Sequence, residues 1–401
     1  MYKGKKRGSL NRSRILECIY RNAPIARTDI ADETEITPAT VTANVTALIS
    51  EGLVEELGEA LTEEVSSGRK RVLIDIIPAC RYSIGVEFTL KALVICMTDM
   101  KGHIISQRVT PFSQELAASV TESICDGIHM LVAESKVAWD KIIGIGIAVP
   151  GHMNQDESDF ITNRKIWSSF SPDRVRASMP VPVTFENNAR CMALSEYLFD
   201  PGNSPDSFSF FHVGMGMFCA SVVEGEIFLG NHYVAGEIGH TIVCENGIRC
   251  ECGKHGCLQT YSSETWLLKK AQLLYENNPQ SMLRNLVPSK EEITIPMILT
   301  AYSMGDPLVG TCISDALKYL GITTSNIAII MNPGKIFLHG QIFDNEDVRT
   351  ELMDYIERQL LFVDSSYGNY IEILPYAQTD GAKGASALAI SHFFISSTSP
   401  D

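Results

Sequence analysis

Four residues with strong chemical potential lie close together: His240, Cys250, Cys252 and Cys257. One imidazole and three thiolates make a closed tetrahedral donor set for zinc. An ion held wholly by protein keeps no position for a water, so its role would be to pin a loop rather than to catalyse. The Cys-x-Cys gap is tighter than the usual two-residue gap, and reduced thiols beside a solvent-exposed histidine fit the same spacing. Spacing alone leaves both readings open. Other cysteines, such as Cys18, Cys125 and Cys312, sit in apolar helical patterns and read as small core residues.

A second group of candidates lies near the N-terminus. Thr37-Pro38-Ala39-Thr40-Val41-Thr42 reads as a helix start, with Thr37 as cap and Pro38 in the first turn. Val41, Val45, Leu48 and Ile49 supply an inner face. Thr40, Thr42 and Asn44 then fall on or near the outer face, with side chains short enough to meet base edges in a major groove. Arg69, Lys70 and Arg71 end a polar loop and could neutralise phosphates, as could the cluster Lys3, Lys5, Lys6, Arg7, Arg12 and Arg14.

The elements that must position these groups follow from periodicity. Ile15, Leu16, Ile19 and Tyr20 mark a first helix, and Ile25, Ile30 and Ala31 a short second one. Glu51-Gly52 ends the third helix, and strands follow at Val54 and at Val72–Ile76. Three helices and a two-stranded wing make a winged helix-turn-helix over residues 1–80. A winged helix can also serve as a protein-interaction module, and its outer helix face carries no Arg or Lys.

Beyond Arg81 the pattern becomes α/β. Strands are expected at Tyr82–Phe88, Ala92–Thr98, Ile104–Val109, Ile142–Val149 and Val181–Glu186, with helices at Leu116–Glu134 and Ala189–Phe199. The scheme then repeats, with strands at Phe208–Val213, Cys219–Val223, Glu226–Leu229, Ile336–Leu338 and Ile371–Leu374. Two α/β lobes with a cleft between them are implied, with ligands at the carboxyl ends of strands.

Charge separates the two parts. Residues 1–81 hold 12 basic and 12 acidic side chains, so the remainder carries the whole net charge of −15. Nucleic-acid binding by the larger part is thereby disfavoured. The run Ile142–Val149 is far shorter than the ~18 apolar residues of a membrane span. The basic first 14 residues are not followed by an apolar segment, so no signal peptide is read. The expected location is the cytoplasm, without membrane association.

Val234-Ala235-Gly236-Glu237-Ile238-Gly239-His240, followed by Cys250-x-Cys252-Gly253-x-x-Gly256-Cys257-Leu258-Gln259, closely resembles the signature of the ROK family (repressor, open reading frame, kinase). Gly144–Gly151 resembles its strand and turn before the sugar pocket. Asp380–Ala385 resembles the start of its C-terminal helix, and Leu10–Val54 the winged module of its repressor branch. The resemblance implies a two-lobed actin-like, ribonuclease H-like domain of the sugar-kinase type. One lobe would comprise residues 81–199 with 380–396, and the other 200–379. It also implies structural Zn2+ on His240, Cys250, Cys252 and Cys257, and sugar contacts by Asn187, Glu237 and His240. Asn188, Gln259, Gly151, His152 and Asn163 stand at further sugar-facing positions.

The departures from the kinase pattern are as informative. Family kinases carry Asn-Asp where this chain has Asn187-Asn188, and an amide cannot accept the proton of an attacking hydroxyl. The phosphate loop Asp-x-Gly-Gly-Thr is replaced by Glu87-Phe88-Thr89-Leu90-Lys91, and Gly-Thr-Gly by Gly214-Met215-Gly216. The adenosine-side turn is His339-Gly340-Gln341. The expectation is a dimeric or tetrameric repressor that binds operator DNA and answers to a sugar or sugar phosphate without phosphorylating it. The alternatives are an active hexose kinase with an appended DNA-binding module, or a repressor governed by a protein partner.

Overall fold

The computed structural model describes residues 7–59, 71–154, 156–162, 165–231, 235–360 and 370–396. The chain divides into two compact units, residues 1–203 with 378–401, and residues 204–377.

The first unit begins with three helices, α1 (Arg7–Asn22), α2 (Arg27–Thr34) and α3 (Pro38–Ser50). Ile15, Ile19, Ile30, Val41, Val45 and Leu48 are completely buried and form their common core. Pro38 occupies the first turn of α3, where no amide hydrogen is needed. The turn out of α2 passes through the left-handed conformation at Glu35 (φ 55°). Strands β1 (Ile25–Ala26), β2 (Val54–Glu59) and β3 (Val72–Ile76) form an antiparallel sheet in the order β1-β3-β2.

This module packs into the same compact unit as the lobe that follows it. The buried Tyr20 hydroxyl donates to the Met100 carbonyl at 2.5 Å. The Arg21 guanidinium donates to the Tyr197 carbonyl at 2.7 Å and lies 4.1 Å from the Tyr197 ring centroid. Lys101 pairs with Asp75 of β3.

The lobe opens with an antiparallel meander, β4 (Tyr82–Phe88), β5 (Ala92–Asp99) and β6 (Ile104–Pro111). Helices α4 (Gln114–Ala118) and α5 (Val120–Ser135) follow. The sequence reads them as one helix. They are two because the Ser169 hydroxyl enters the break, donating to Ala117 O at 2.7 Å and accepting from Val120 N at 3.3 Å. Strand β7 (Ile142–Val149) then runs parallel to β4, and the hairpin β8 (His152–Met153) and β9 (Phe160–Ile161) leads to α6 (Pro172–Ser178). Strand β10 (Val183–Asn187), parallel to β7, feeds α7 (Asn188–Phe199). The sheet order is β10-β7-β4-β5-β6.

The second unit repeats the plan. Its strands are β11 (Phe208–Val213), β12 (Met217–Val223), β13 (Glu226–Ile227), β14 (Ile336–His339) and β15 (Ile371–Ile373), in the order β13-β12-β11-β14-β15. In both sheets the first strand is central, the second and third fold back antiparallel, and the fourth and fifth add in parallel on the other side. Its helices are α8 (Gln259–Ser262), α9 (Glu264–Asn277), α10 (Leu283–Leu286), α11 (Ile295–Ser303), α12 (Pro307–Met331) and α13 (Glu346–Gln359).

The chain then returns to the first unit as α14 (Asp380–Ile390). Its Ala382 and Ala385 carbonyls lie so near β4 and β7 that a Cβ at Gly85 or Gly146 would meet each at 1.8 Å. Glycine at both positions lets α14 rest directly on the strands whose carboxyl ends carry the candidate site.

Candidate functional site

The ring nitrogen and three sulfurs of His240, Cys250, Cys252 and Cys257 all lie within 4.8 Å of one another. Cys252 Sγ is 3.6 Å from Cys257 Sγ, and Cys250 Sγ is 3.6 Å from His240 Nδ1. A tetrahedral zinc with bonds near ~2.3 Å places its donor atoms about 3.8 Å apart, so the set fits that ion. This His/Cys3 cluster can bind a metal such as zinc. His240 turns Nδ1 toward the sulfurs and Nε2 toward Glu237, 3.9 Å away.

The loop is shaped to bring the four together. Val243 N donates to Gly256 O at 2.8 Å, and Cys250 N to Lys254 O at 2.8 Å. Gly256 has φ of +73°, and a Cβ there would lie 1.7 Å from Cys244 O. Only glycine meets both demands. Gln259 Nε2 donates to Cys250 Sγ at 3.3 Å and to Glu251 at 3.3 Å, so its donor faces the sulfur cluster.

In the first unit, polar groups gather at the carboxyl ends of β4, β7 and β10. Asn187, buried, caps α7: its Oδ1 accepts from Ala189 N at 3.0 Å and Arg190 N at 3.4 Å. Its Nδ2 donates to Gly151 O at 2.9 Å, tying the turn after β7 to the start of α7. Asn187 is therefore a structural strap as well as a candidate sugar contact. Asn188 Nδ2 donates to Glu87 Oε1 at 3.2 Å, and its Oδ1 accepts from Ala189 N at 2.9 Å. One Asn188 N–H is left for a ligand. His152 stands half-buried in β8, paired with Ile161. Asn163 lies outside the described residues.

Glu87 is the residue that sequence reasoning undervalued, treating it only as part of a broken phosphate loop. Its carboxyl is buried, and burial pushes its pKa up to about 7 against the opposing hydrogen bond from Asn188. The clue was a carboxylate at the end of the first lobe strand, one ladder over from the strand leading to Gly151.

The loop after β4 bonds three of its amides internally. Thr89 N donates to Ala92 O at 2.9 Å, and Thr89 Oγ1 accepts from Lys91 N at 3.1 Å and Ala92 N at 3.4 Å. At Gly214-Met215-Gly216, Gly214 N closes on Gly216 O at 2.9 Å. His339 and His212, at paired positions of β14 and β11, approach Nδ1 to Nδ1 at 3.0 Å.

On α3, Thr37 and Thr42 are exposed, while Thr40 and Asn44 are half-buried. Thr37 Oγ1 bonds Thr40 Oγ1 at 2.9 Å and makes no side-chain cap, contrary to the capping expected of it. Asn44 Nδ2 spends one hydrogen on Thr40 O at 2.9 Å. Arg71, exposed, pairs with the half-buried Asp29 at 3.1 Å, a surface pair weak enough to yield to phosphate. Arg69 and Lys70 lie outside the described residues, as do Lys3, Lys5 and Lys6.

Residues 83–392 match the ROK family, and residues 9–55 match winged helix-turn-helix DNA-binding domains. The chain belongs to the ROK family. It is 26% identical over 396 residues to the xylose repressor of Bacillus subtilis, covering 96% of both chains. It is 25% identical over 343 residues to the N-acetylglucosamine repressor of Escherichia coli, covering 84% of this chain and 82% of that one. Among solved structures it resembles a ROK family transcriptional regulator, a homolog of the E. coli MLC protein. That match has a TM-score of 0.74 at 22% identity and covers 97% of this chain and 98% of the other. Among the described residues, no helix is long and apolar enough to cross a membrane.

Proposed function

We propose that this ROK protein is a sugar-responsive transcriptional repressor of carbohydrate-metabolism genes whose kinase-like domain senses without catalysing. The observation that carries the reading is Asn188. It stands at the start of α7, where family kinases hold the carboxylate base, and its amide is hydrogen-bonded to Glu87. An amide offers no site for the proton of an attacking hydroxyl. In the loop after β4 the amides of Thr89, Lys91 and Ala92 are bonded within the loop, which weighs against a phosphate cradle there. The names of the relatives, repressors of xylose and N-acetylglucosamine, support the same reading.

The α3 helix would read operator DNA through Thr37, Thr40, Thr42 and Asn44, with Arg69, Lys70 and Arg71 of the wing on phosphates. A homodimer, or a tetramer built from dimers, would set two such helices in major grooves about 34 Å apart. The effector is a sugar or sugar phosphate, and the groups assigned to it are Gly151, His152, Asn163, Asn187, Asn188, Glu237, His240 and Gln259. Zn2+ on His240, Cys250, Cys252 and Cys257 would fix the loop that presents Glu237 and His240, leaving His240 Nε2 directed at Glu237.

Two assays test this. Selection of bound duplexes from a random pool should return a sequence whose preference relaxes in Thr42→Ala or Asn44→Ala at one or two positions. A coupled assay for ATP consumption with xylose, glucose or N-acetylglucosamine should show no turnover. A pool without enrichment, or steady hexose phosphorylation, would refute the proposal.

A further inference from the structure

We propose that the effector site keeps a carboxylate at the start of α7 although position 188 is an amide: Glu87 accepts a hydrogen bond from a sugar hydroxyl beside Asn188. The inference rests on the sugar-sensor reading and deepens it. Glu87 is the last residue but one of β4, in ladder with Ala148 of β7, two residues before Pro150-Gly151. Its Oε1 accepts from Asn188 Nδ2 at 3.2 Å, so carboxylate and amide form one hydrogen-bonded pair at the start of α7. Among the described residues this is the one hydrogen bond to the Glu87 carboxyl, which leaves Oε2 with acceptor capacity. The carboxyl also rests on the first turn of α14, where a Cβ at Gly381 would meet its carbon at 2.0 Å. Glycine at 381 makes the room, and two helix N-termini, those of α7 and α14, favour negative charge there.

The charge state of Glu87 is set by what faces it. Burial raises its pKa, the Asn188 amide lowers it, Asp380 of α14 raises it and Lys91 lowers it. Cys96 of β5 and Cys191 of α7 face it as neutral thiols, both pushed up by burial. Lys383 of α14 has its ammonium 5.5 Å from the Phe199 ring centroid. With the carboxyl near half-ionised at pH of about 7, a hydroxyl donated to Oε2 favours the ionised form. Sugar binding must then release a proton, and by linkage affinity must rise with pH across that range.

The test uses the full-length protein and titration calorimetry with D-xylose, D-glucose, N-acetyl-D-glucosamine and their phosphates at about pH 6 and about pH 8, since a carboxyl that titrates near neutrality changes charge between them. If the bound hydroxyl lowers the Glu87 pKa by about one unit, wild-type affinity rises about fivefold between the two pH values. Glu87→Gln, its fold checked by thermal melting, should bind about tenfold more weakly at the higher pH and lose the pH dependence. A wild type that binds a sugar with flat affinity overturns the Glu87 assignment and leaves the sensor reading standing. So does a pH dependence that persists in Glu87→Gln. A wild type that binds neither the three sugars nor their phosphates at either pH overturns both.

Discussion

Asn187 serves as the cap of α7 and as the strap to Gly151, and replacing it separates the two roles. Asn187→Ala removes the Oδ1 that accepts from Ala189 N and Arg190 N. Loss of such a cap costs about 1 kcal/mol. It also removes the 2.9 Å bond from Nδ2 to Gly151 O, worth about 1 kcal/mol. The total is about 2 kcal/mol. Asn187→Ser keeps a capping oxygen but is too short to reach Gly151, so it should lose about 1 kcal/mol. The chain has two compact units, and a global melt need not be two-state. Native-state hydrogen exchange at the Ala189 and Arg190 amides reads α7 locally. The expected order of protection is Asn, then Ser, then Ala. Equal protection in the Ser and Ala variants, or a loss in Ala below about 0.5 kcal/mol, would refute the cap-and-strap account.

Further predictions follow from single contacts. Tyr20→Phe removes a buried 2.5 Å bond and leaves Met100 O without that donor, so denaturant unfolding of the first unit should lose about 1–3 kcal/mol. Chelation, or Cys250→Ser, should abolish a stoichiometric zinc found by elemental analysis. Ile242 is 58% exposed and Ile248 36% exposed, so the loop has little core of its own. Exchange between Thr241 and Leu258 should therefore accelerate while the sheets stay protected. Gly256→Ala meets Cys244 O at 1.7 Å and should lose metal without any ligand being changed. The Glu87 pKa is raised to about 7, so the stability it contributes is full below the ordinary carboxylate range and is lost as pH rises through about 7. Glu87→Gln should thus melt higher than wild type at pH 8, by on the order of 3 kcal/mol, with the gap closing toward pH 5.

Much of the fold is written in local pattern. The strand Ile142–Val149 is apolar throughout because it is covered on both faces, and Val41, Val45 and Leu48 announce α3 by their spacing. Spacing left the His240, Cys250, Cys252 and Cys257 cluster open between a metal set and reduced thiols, and the resemblance to the ROK signature pointed to the metal. The break between α4 and α5 was not legible, because Ser169, which makes it, comes 49 residues after Val120. Nor was the Glu87–Asn188 bond, which joins residues 101 apart. The double duty of Asn187 was hidden for a similar reason, since its second partner, Gly151, lies 36 residues away. Local sequence carries periodicity and caps. It does not carry the partners that tertiary packing brings to a side chain.

The most direct measurement is the affinity of the full-length protein for its selected duplex, read by fluorescence anisotropy with and without xylose, glucose, N-acetylglucosamine and their phosphates. Coupling of this kind is worth about fivefold or more in affinity, and the DNA must weaken binding of the effective sugar by the same factor. We expect one sugar of the panel to release the duplex and to do so reciprocally. Affinity that stays constant across all three sugars and their phosphates would contradict the account.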